Sequence, residues 1–69
     1  MTYKVGRCLL RHHLTKNRMT QQELAEHIGL SKQTVSRYVN NSHVMSYQTA
    51  LNIARVLKCQ MEDLYEIRE

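Results

Sequence analysis

The 69-residue sequence contains no proline, phenylalanine or tryptophan, and it has only two glycines. Because Gly and Pro mark loops and hairpins, their scarcity argues against long loops and against a strand-rich architecture. No apolar run is long enough to span a membrane or to form a secretory signal. We therefore expect one small cytoplasmic domain covering residues 1–69, with no separate ligand-sensing domain.

The chain has only two cysteines, Cys8 and Cys59, and both lie within apolar patterns typical of buried thiols. A disulfide between the two cysteines is possible from the sequence, although in an intracellular protein both thiols would be kept reduced. Cys8 and His12 are one helical turn apart, but no paired Cys/His set completes a tetrahedral zinc site. The sequence therefore predicts neither a metal ion nor a cofactor.

The chain also has no recognisable catalytic set. Its hydroxyl, imidazole and carboxylate side chains form no combination of nucleophile, base and orienting group. Gly29 stands alone rather than in a phosphate-binding loop, and so small a helical domain has little volume for a substrate pocket. We expect no enzyme activity and no small-molecule substrate.

The formal net charge of +4 is unevenly distributed along the chain. Residues 1–61 carry nine Lys and Arg against only Glu23 and Glu26, whereas residues 62–69 carry four acids against Arg68. A basic body with a short acidic end suits a polyanionic partner, although a basic surface can also simply be solvated.

Residues 20–41, TQQELAEHIGLSKQTVSRYVNN, have the pattern of two short helices joined by a tight turn. Thr20 and Glu23 match a capping box at the first helix start, and Gly29 follows its last apolar position. Ser31 then has the position of a second N-cap. Both helices have apolar residues at helical spacing, namely Leu24, Ala25 and Ile28 in the first and Val35, Tyr38 and Val39 in the second.

The other face of the second helix carries side chains that can reach base edges in a DNA major groove, namely Lys32, Gln33, Ser36 and Arg37. Two amphipathic helices around a glycine also occur in helical domains that never bind nucleic acid. The pattern alone therefore leaves DNA binding open.

Several residues of this segment closely resemble the motif of phage-repressor and Cro-type (XRE-like) helix-turn-helix regulators: Thr20, Gln21, Glu23, Leu24, Ala25, Ile28, Gly29, Ser31, Val35, Ser36 and Arg37. Residues 49–57 and 61–64 are similar to the two closing helices of that domain. The similarity extends from about residue 5 to residue 65 and is strongest to compact single-domain members. It implies a sequence-specific, double-stranded-DNA-binding regulator.

Together, the periodicity and the resemblance predict an all-α, five-helix bundle. We expect helices over residues 4–16, 21–28 and 32–40, a fourth capped by Ser46, and a short fifth over 61–65. Arg18 lies where the related domains often have glycine, so either Asn17 or Arg18 is expected in the left-handed region or the turn differs. Asn41 replaces the usual glycine after the third helix and is expected in the same region. His13 is expected to be a half-buried packing residue. The predicted core centre is Leu24, Ile28, Val35, Leu51 and Leu64.

For DNA recognition, we predict base contacts from Lys32, Gln33, Ser36 and Arg37. Gln21 resembles a glutamine that holds a phosphate at a helix N-terminus. The predicted backbone contacts are Gln21, Ser31, Thr34, Asn40, Asn41 and His43.

The function predicted from these features is transcriptional repression by a homodimer on a two-fold, pseudo-palindromic operator. The dimer contact is placed in the last helix and tail, around Leu64, Tyr65 and Ile67; alternatively, Tyr65 and Ile67 fold back near Tyr3 and Val5 in a monomer. The second hypothesis is an antitoxin-like or adaptor module that binds protein through residues 62–69. Salt distinguishes the two, because DNA binding should weaken steeply as salt rises.

Overall fold

A two-stranded antiparallel sheet joins the two ends of the chain in the computed structural model, which describes residues 2–68. Strand β1 is Lys4–Cys8 and strand β2 is Tyr65–Arg68. Between them lie the helices α1 Leu10–Lys16, α2 Gln21–Ile28, α3 Lys32–Val39 and α4 Tyr47–Leu57, and the 3₁₀ helix Met61–Leu64. We call β1 and β2 together the terminal sheet.

The prediction of an all-α five-helix bundle was wrong at both ends of the chain. The expected helix over residues 4–16 is a strand followed by the shorter α1, and the expected last helix is a 3₁₀ turn that leads into β2. The cause is strand pairing between distant segments: Val5 is opposite Ile67 and Lys4 is opposite Arg68. Helical spacing of apolar residues within one window carries no information on such a partner.

The terminal sheet is irregular, with a register shift between Val5 and Cys8. Gly6 lies within this irregular stretch. A Cβ atom at Gly6 would lie 2.9 Å from Nε of Arg68 and 3.0 Å from Cβ of Glu66. Glycine therefore provides the space in which these two β2 side chains lie across β1.

Side-chain caps begin the three helices α2, α3 and α4, as predicted. The backbone N–H of Glu23 donates to Oγ1 of Thr20 at 3.1 Å, and Oε1 of Glu23 accepts from the N–H of Thr20 at 3.0 Å. Ser31 and Ser46 cap α3 and α4 in the same way, each accepting from the backbone N–H three residues later. Each cap satisfies a donor that the helix itself cannot pair.

Among residues 2–68, four adopt the left-handed backbone conformation, and only one of these four is glycine. Gly29 ends α2 at φ 73°, while Arg18, Asn41 and Lys58 have φ 54°, 64° and 57°. The predictions for Arg18 and Asn41 are confirmed. This conformation costs an L-residue about 1–2 kcal/mol, which the surrounding structure must offset.

The core lies between the helices and includes the first residue of α1 and the last residue of the 3₁₀ helix. Its fully buried large side chains are Leu10, Leu24, Val35, Ile53 and Leu64. Ile28 and Leu51 were expected at the centre but are only half-buried. Helix α4 directs Ala50, Ile53, Ala54 and Leu57 inward, and this i, i+3, i+4, i+7 stripe leaves Leu51 at its side.

Both cysteines are free thiols, with Cys8 buried and Cys59 half-buried. Burial raises the pKa of each thiol. His13 is half-buried, as predicted, and its Nε2 lies 2.7 Å from the carbonyl oxygen of Asp63, which ties α1 to the 3₁₀ helix. Within residues 2–68, no cluster of three metal-binding side chains occurs, and no helix is long and apolar enough to cross a membrane.

Candidate nucleic-acid interface

Helices α2 and α3 pack through their apolar sides, which fixes the outward direction of α3. Leu24 and Ala25 of α2 are buried together with Val35 and Val39 of α3. Because Val35 and Val39 are one turn apart, the opposite side of α3 faces outward. Gln33 and Arg37 are exposed on it, and Lys32 is exposed at the first position of the helix. Their amide and cationic donors form a surface that can hydrogen-bond base edges.

The short hydroxyl side chains of α3 are partly engaged within the helix itself. Ser36 is half-buried, and its Oγ accepts from Nδ2 of Asn40 at 3.3 Å. Oγ of Ser31 and Oγ1 of Thr34 are hydrogen-bonded at 2.9 Å beside the N-cap bond. Ser31, Thr34 and Ser36 thus help to hold both ends of α3 in place.

The loop after α3, residues 40–46, is attached to the terminal sheet at two points. Oδ1 of Asn41 accepts from the N–H of Cys8 at 2.7 Å, and the N–H of Met45 donates to the hydroxyl of Tyr65 at 3.1 Å. Burial is the main cause that raises the pKa of Tyr65, so its hydroxyl remains protonated at neutral pH. The sheet therefore positions the loop that follows the predicted recognition helix.

Arg11 is a basic residue of this surface that the sequence analysis missed. Its Nη2 donates to Oδ1 of Asn40 at 3.5 Å, and Arg7, Asn40 and Asn41 line the same open cleft. The guanidinium group of Arg11 thus lies beside the end of α3. Arg11 precedes Asn40 by 29 residues, and only the packing of α1 on α3 brings them together. The basic character of residues 1–61 was the only signal in the sequence.

The remaining predicted contacts lie around the same surface. His43 is exposed and lines a shallow pocket with Thr34, Arg37, Tyr38 and Val44. Gln21 is half-buried at the first position of α2, where unpaired backbone N–H groups and the helix dipole favour an anion. The structure thus brings His43 next to the exposed side of α3, and it places Gln21 at a helix N-terminus.

A comparison with known protein families agrees with this arrangement of α2, the glycine turn and α3. The model of the Cro/C1-type HTH DNA-binding domain matches residues 10–69. The chain belongs to this family. It is a DNA-binding transcriptional regulator with double-stranded DNA as its partner, so the predicted family and the predicted role as a DNA-binding regulator are confirmed.

Individual relatives agree with this family assignment. The chain is 41% identical over 66 residues to the SPbeta prophage-derived HTH-type transcriptional regulator YopS of Bacillus subtilis. This match covers 94% of this chain and 89% of YopS. The fold is shared with a Bacteroides fragilis protein at a TM-score of 0.82, 23% identity and coverage of 94% and 100%. The SOS-response repressor LexA of Eubacterium rectale is similar at a TM-score of 0.75 and 26% identity, over 83% of this chain and 61% of that one.

Proposed function

We propose that this regulator is a sequence-specific repressor that inserts α3 into the major groove of a two-fold operator. The observation that carries the proposal is the exposure of Gln33 and Arg37 on one side of a helix whose other side is fixed in the core, with Lys32 exposed at the start of the same helix. Repression as the regulatory output is supported by the structural similarity of the chain to LexA, which is a transcriptional repressor.

In the proposed complex, the exposed side chains of α3 read the bases. Lys32 and Arg37 can donate to guanine O6 and N7, and Gln33 can pair with adenine N6 and N7. Ser36, which is half-buried, suits a close approach to a thymine methyl group. These four residues are the proposed base contacts.

A second set of residues would hold the DNA backbone on either side of α3. Gln21 offers an amide at the start of α2, while Ser31 and Thr34 lie at the start of α3. Asn40, Asn41 and His43 lie in the loop beyond α3. Because Oδ1 of Asn41 is engaged by Cys8, its Nδ2 is the group that would donate to a phosphate. Phosphate contacts of this kind fix orientation and carry no sequence information directly.

The proposed active unit is a cytoplasmic homodimer in which residues 1–69 act as one domain. A single recognition helix covers only a few base pairs, which gives too little contact for tight binding at cellular salt. Two copies on one face of B-DNA would place their helices about 34–36 Å apart. Tyr65–Arg68 is a strand paired with β1, so residues 65–68 are part of the domain and not a free tail.

The proposal is tested by selecting bound duplexes from a random pool and then repeating the selection with variants. Gln33→Ala and Arg37→Ala should each relax base preference, with a loss of about 1–3 kcal/mol of discrimination. Gln21→Ala should instead weaken binding to all sequences alike. An unchanged site bound with unchanged affinity by both α3 variants would contradict this orientation of α3. Binding that does not fall as salt rises would contradict DNA as a specific partner.

A further inference from the structure

Val44 is an exposed apolar side chain at the edge of the candidate nucleic-acid interface. It is 74% exposed and lies in the loop that follows α3. It lines a shallow pocket together with His43 and with three residues of α3, namely Thr34, Arg37 and Tyr38. A single exposed apolar residue is ordinary on a protein surface. Val44 differs because it shares its pocket with Arg37, a residue proposed to read a base.

The loop holds Val44 in a defined place. On one side, the backbone N–H of Ser42 donates to the carbonyl oxygen of Arg37 at 2.9 Å. On the other side, the N–H of Met45 donates to the hydroxyl of Tyr65 at 3.1 Å, and the side chain of Met45 is buried in the core. Val44 lies between these attachments, and a β-branched side chain has few rotamers to lose. Its methyl groups therefore need little ordering when they contact a ligand.

The size and charge of the pocket limit what can occupy it. Its volume is about 200 Å³, which is below the range of about 300–1,000 Å³ typical of small-molecule sites. None of the five described residues that line it is acidic, and Arg37 supplies a positive charge. The pocket therefore suits the edge of a group that belongs to a larger polyanion. Because it is continuous with the exposed side of α3, double-stranded DNA, the partner of this chain, is the molecule that reaches it.

The side-chain chemistry of Val44 indicates which group of the DNA it would contact. Phosphates are bound by hydrogen-bond donors, and the valine side chain has none. In the major groove, the base edges present nitrogen and oxygen atoms together with one apolar group, the C5-methyl of thymine. Since Arg37 is proposed to reach a guanine edge from the same pocket, Val44 would face a neighbouring base pair.

We propose that this pocket binds the C5-methyl group of a thymine at a base pair next to the one that Arg37 reads. Val44 contacts the methyl group and so distinguishes thymine from cytosine, which lacks it. This inference rests on the proposed function for the insertion of α3. It adds to the selected sequence one base that is read from outside the recognition helix.

Replacement of thymine by uracil tests the contact, because uracil lacks only the C5-methyl group and keeps every hydrogen-bonding group. Each thymine of the duplex selected from a random pool is replaced in turn, and fluorescence anisotropy measures the dissociation constant of the full chain. At one thymine per half-site, next to the base pair whose preference is relaxed in Arg37→Ala, uracil should weaken binding about three- to tenfold, as expected for one buried methyl group. Val44→Ala should bind the thymine and uracil duplexes equally, about as weakly as the wild type binds the uracil duplex.

Tyr47→Ala is the matched control. Tyr47 is 77% exposed, three residues after Val44, and does not line the pocket. This variant should keep the full penalty for uracil. Because both substitutions are at exposed residues, the melting curves of the two variants should match that of the wild type.

Three results would overturn the methyl contact. Val44→Ala that loses affinity for thymine and uracil duplexes by the same factor would place Val44 against a deoxyribose. Unchanged affinity would place it outside the complex, and loss of the uracil penalty in Tyr47→Ala would show that the penalty does not report on the pocket. In each case, a base preference that still depends on Gln33 and Arg37 leaves the proposed function standing. A pool without any preferred duplex would contradict the proposed function and the methyl contact together.

Discussion

The helices α2, α3 and α4 and the terminal sheet are stabilised in different ways. Each of these helices begins at a side-chain cap and contributes buried apolar residues to one core. The sheet exposes its paired Val5 and Ile67 and is bonded to the rest of the molecule, for example by the N–H of Cys8, which donates to Oδ1 of Asn41 at 2.7 Å. The helices therefore hold the sheet in place. Cys8 of β1 is buried in the core, whereas Val5 and Ile67 are exposed and contribute little to it. Their exposure instead suits contact with another molecule.

The sharpest test of this difference compares one isoleucine in each region. Ile53 is fully buried in α4, whereas Ile67 is 53% exposed on β2. Ile53→Ala should lower the free energy of unfolding by about 2–5 kcal/mol, and Ile67→Ala by less than about 0.5 kcal/mol at protein concentrations too low for self-association. Urea unfolding measures both. Equal losses would show that the sheet is part of the folding core.

The same difference explains which parts of the molecule could be predicted from the sequence. The caps at Thr20, Ser31 and Ser46 and the turn at Gly29 are signals that extend over three or four residues, so the motif followed from local chemistry. The pairing of Val5 with Ile67 joins segments 62 residues apart, and the sequence of neither segment indicates which segment it pairs with. Helical spacing was then the wrong period for both ends.

In the candidate interface, too, some features follow from local sequence and others depend on contacts between distant elements. The exposed side of α3 was predictable, because the buried positions of a helix fix its outward positions. The place of Arg11 beside Asn40, and the bond between Asn41 and Cys8, depend on how distant elements pack. The prediction for α4 shows a smaller limit of the same kind. Leu51 was expected at the core centre, but Ile53 is buried there and Leu51 is half-buried. Both positions fit an apolar stripe until the orientation of α4 is known.

A second test removes the cap of α2. Thr20→Ala should cost about 0.5–2 kcal/mol of stability, because the N–H of Glu23 loses its acceptor at the helix start. Thr15→Ala is the matched control: Thr15 is exposed, its hydroxyl donates to the carbonyl of Arg11 one turn back, and the change should be within about 0.5 kcal/mol. Thermal unfolding compares the two. A control as costly as the cap would refute the role of Thr20.

The capping box also makes a pH prediction. The N–H of Thr20 donates to Glu23 and lowers the pKa of that carboxyl below its ordinary value near 4.5. A carboxyl whose pKa is lowered by folding stabilises the protein above its unfolded pKa, and this contribution is lost as pH falls through the lowered value. Glu23→Gln should therefore reduce the loss of stability on acidification below about pH 4.5, whereas an unchanged pH profile would contradict the assignment.

A third test cuts one connection between the two regions. Tyr65→Phe removes the hydroxyl that accepts from the N–H of Met45 and leaves that donor unpaired. We expect a loss of about 0.5–1.5 kcal/mol in stability and weaker operator binding, because the loop after α3 loses one of its two attachments. Tyr47→Phe, at an exposed residue of α4, should change neither quantity. Operator affinity unchanged in Tyr65→Phe would show that the sheet does not position the loop.

The smallest effects are expected from glycine substitutions at two left-handed residues, Lys58 and Asn41. The change in stability should have a different sign at the two positions. Lys58 ends α4 at φ 57°, and Lys58→Gly should raise stability by up to about 1 kcal/mol, because relief of left-handed strain exceeds the added flexibility of the unfolded chain. Asn41 has φ 64°, but its side chain also bonds Cys8 on β1. Asn41→Gly relieves less strain, since asparagine tolerates this conformation better, and it loses that bond. It should therefore be neutral or destabilising by about 1 kcal/mol. Equal stabilisation by both substitutions, measured as midpoints of urea unfolding, would show that the bond from Asn41 to the sheet contributes nothing to the fold.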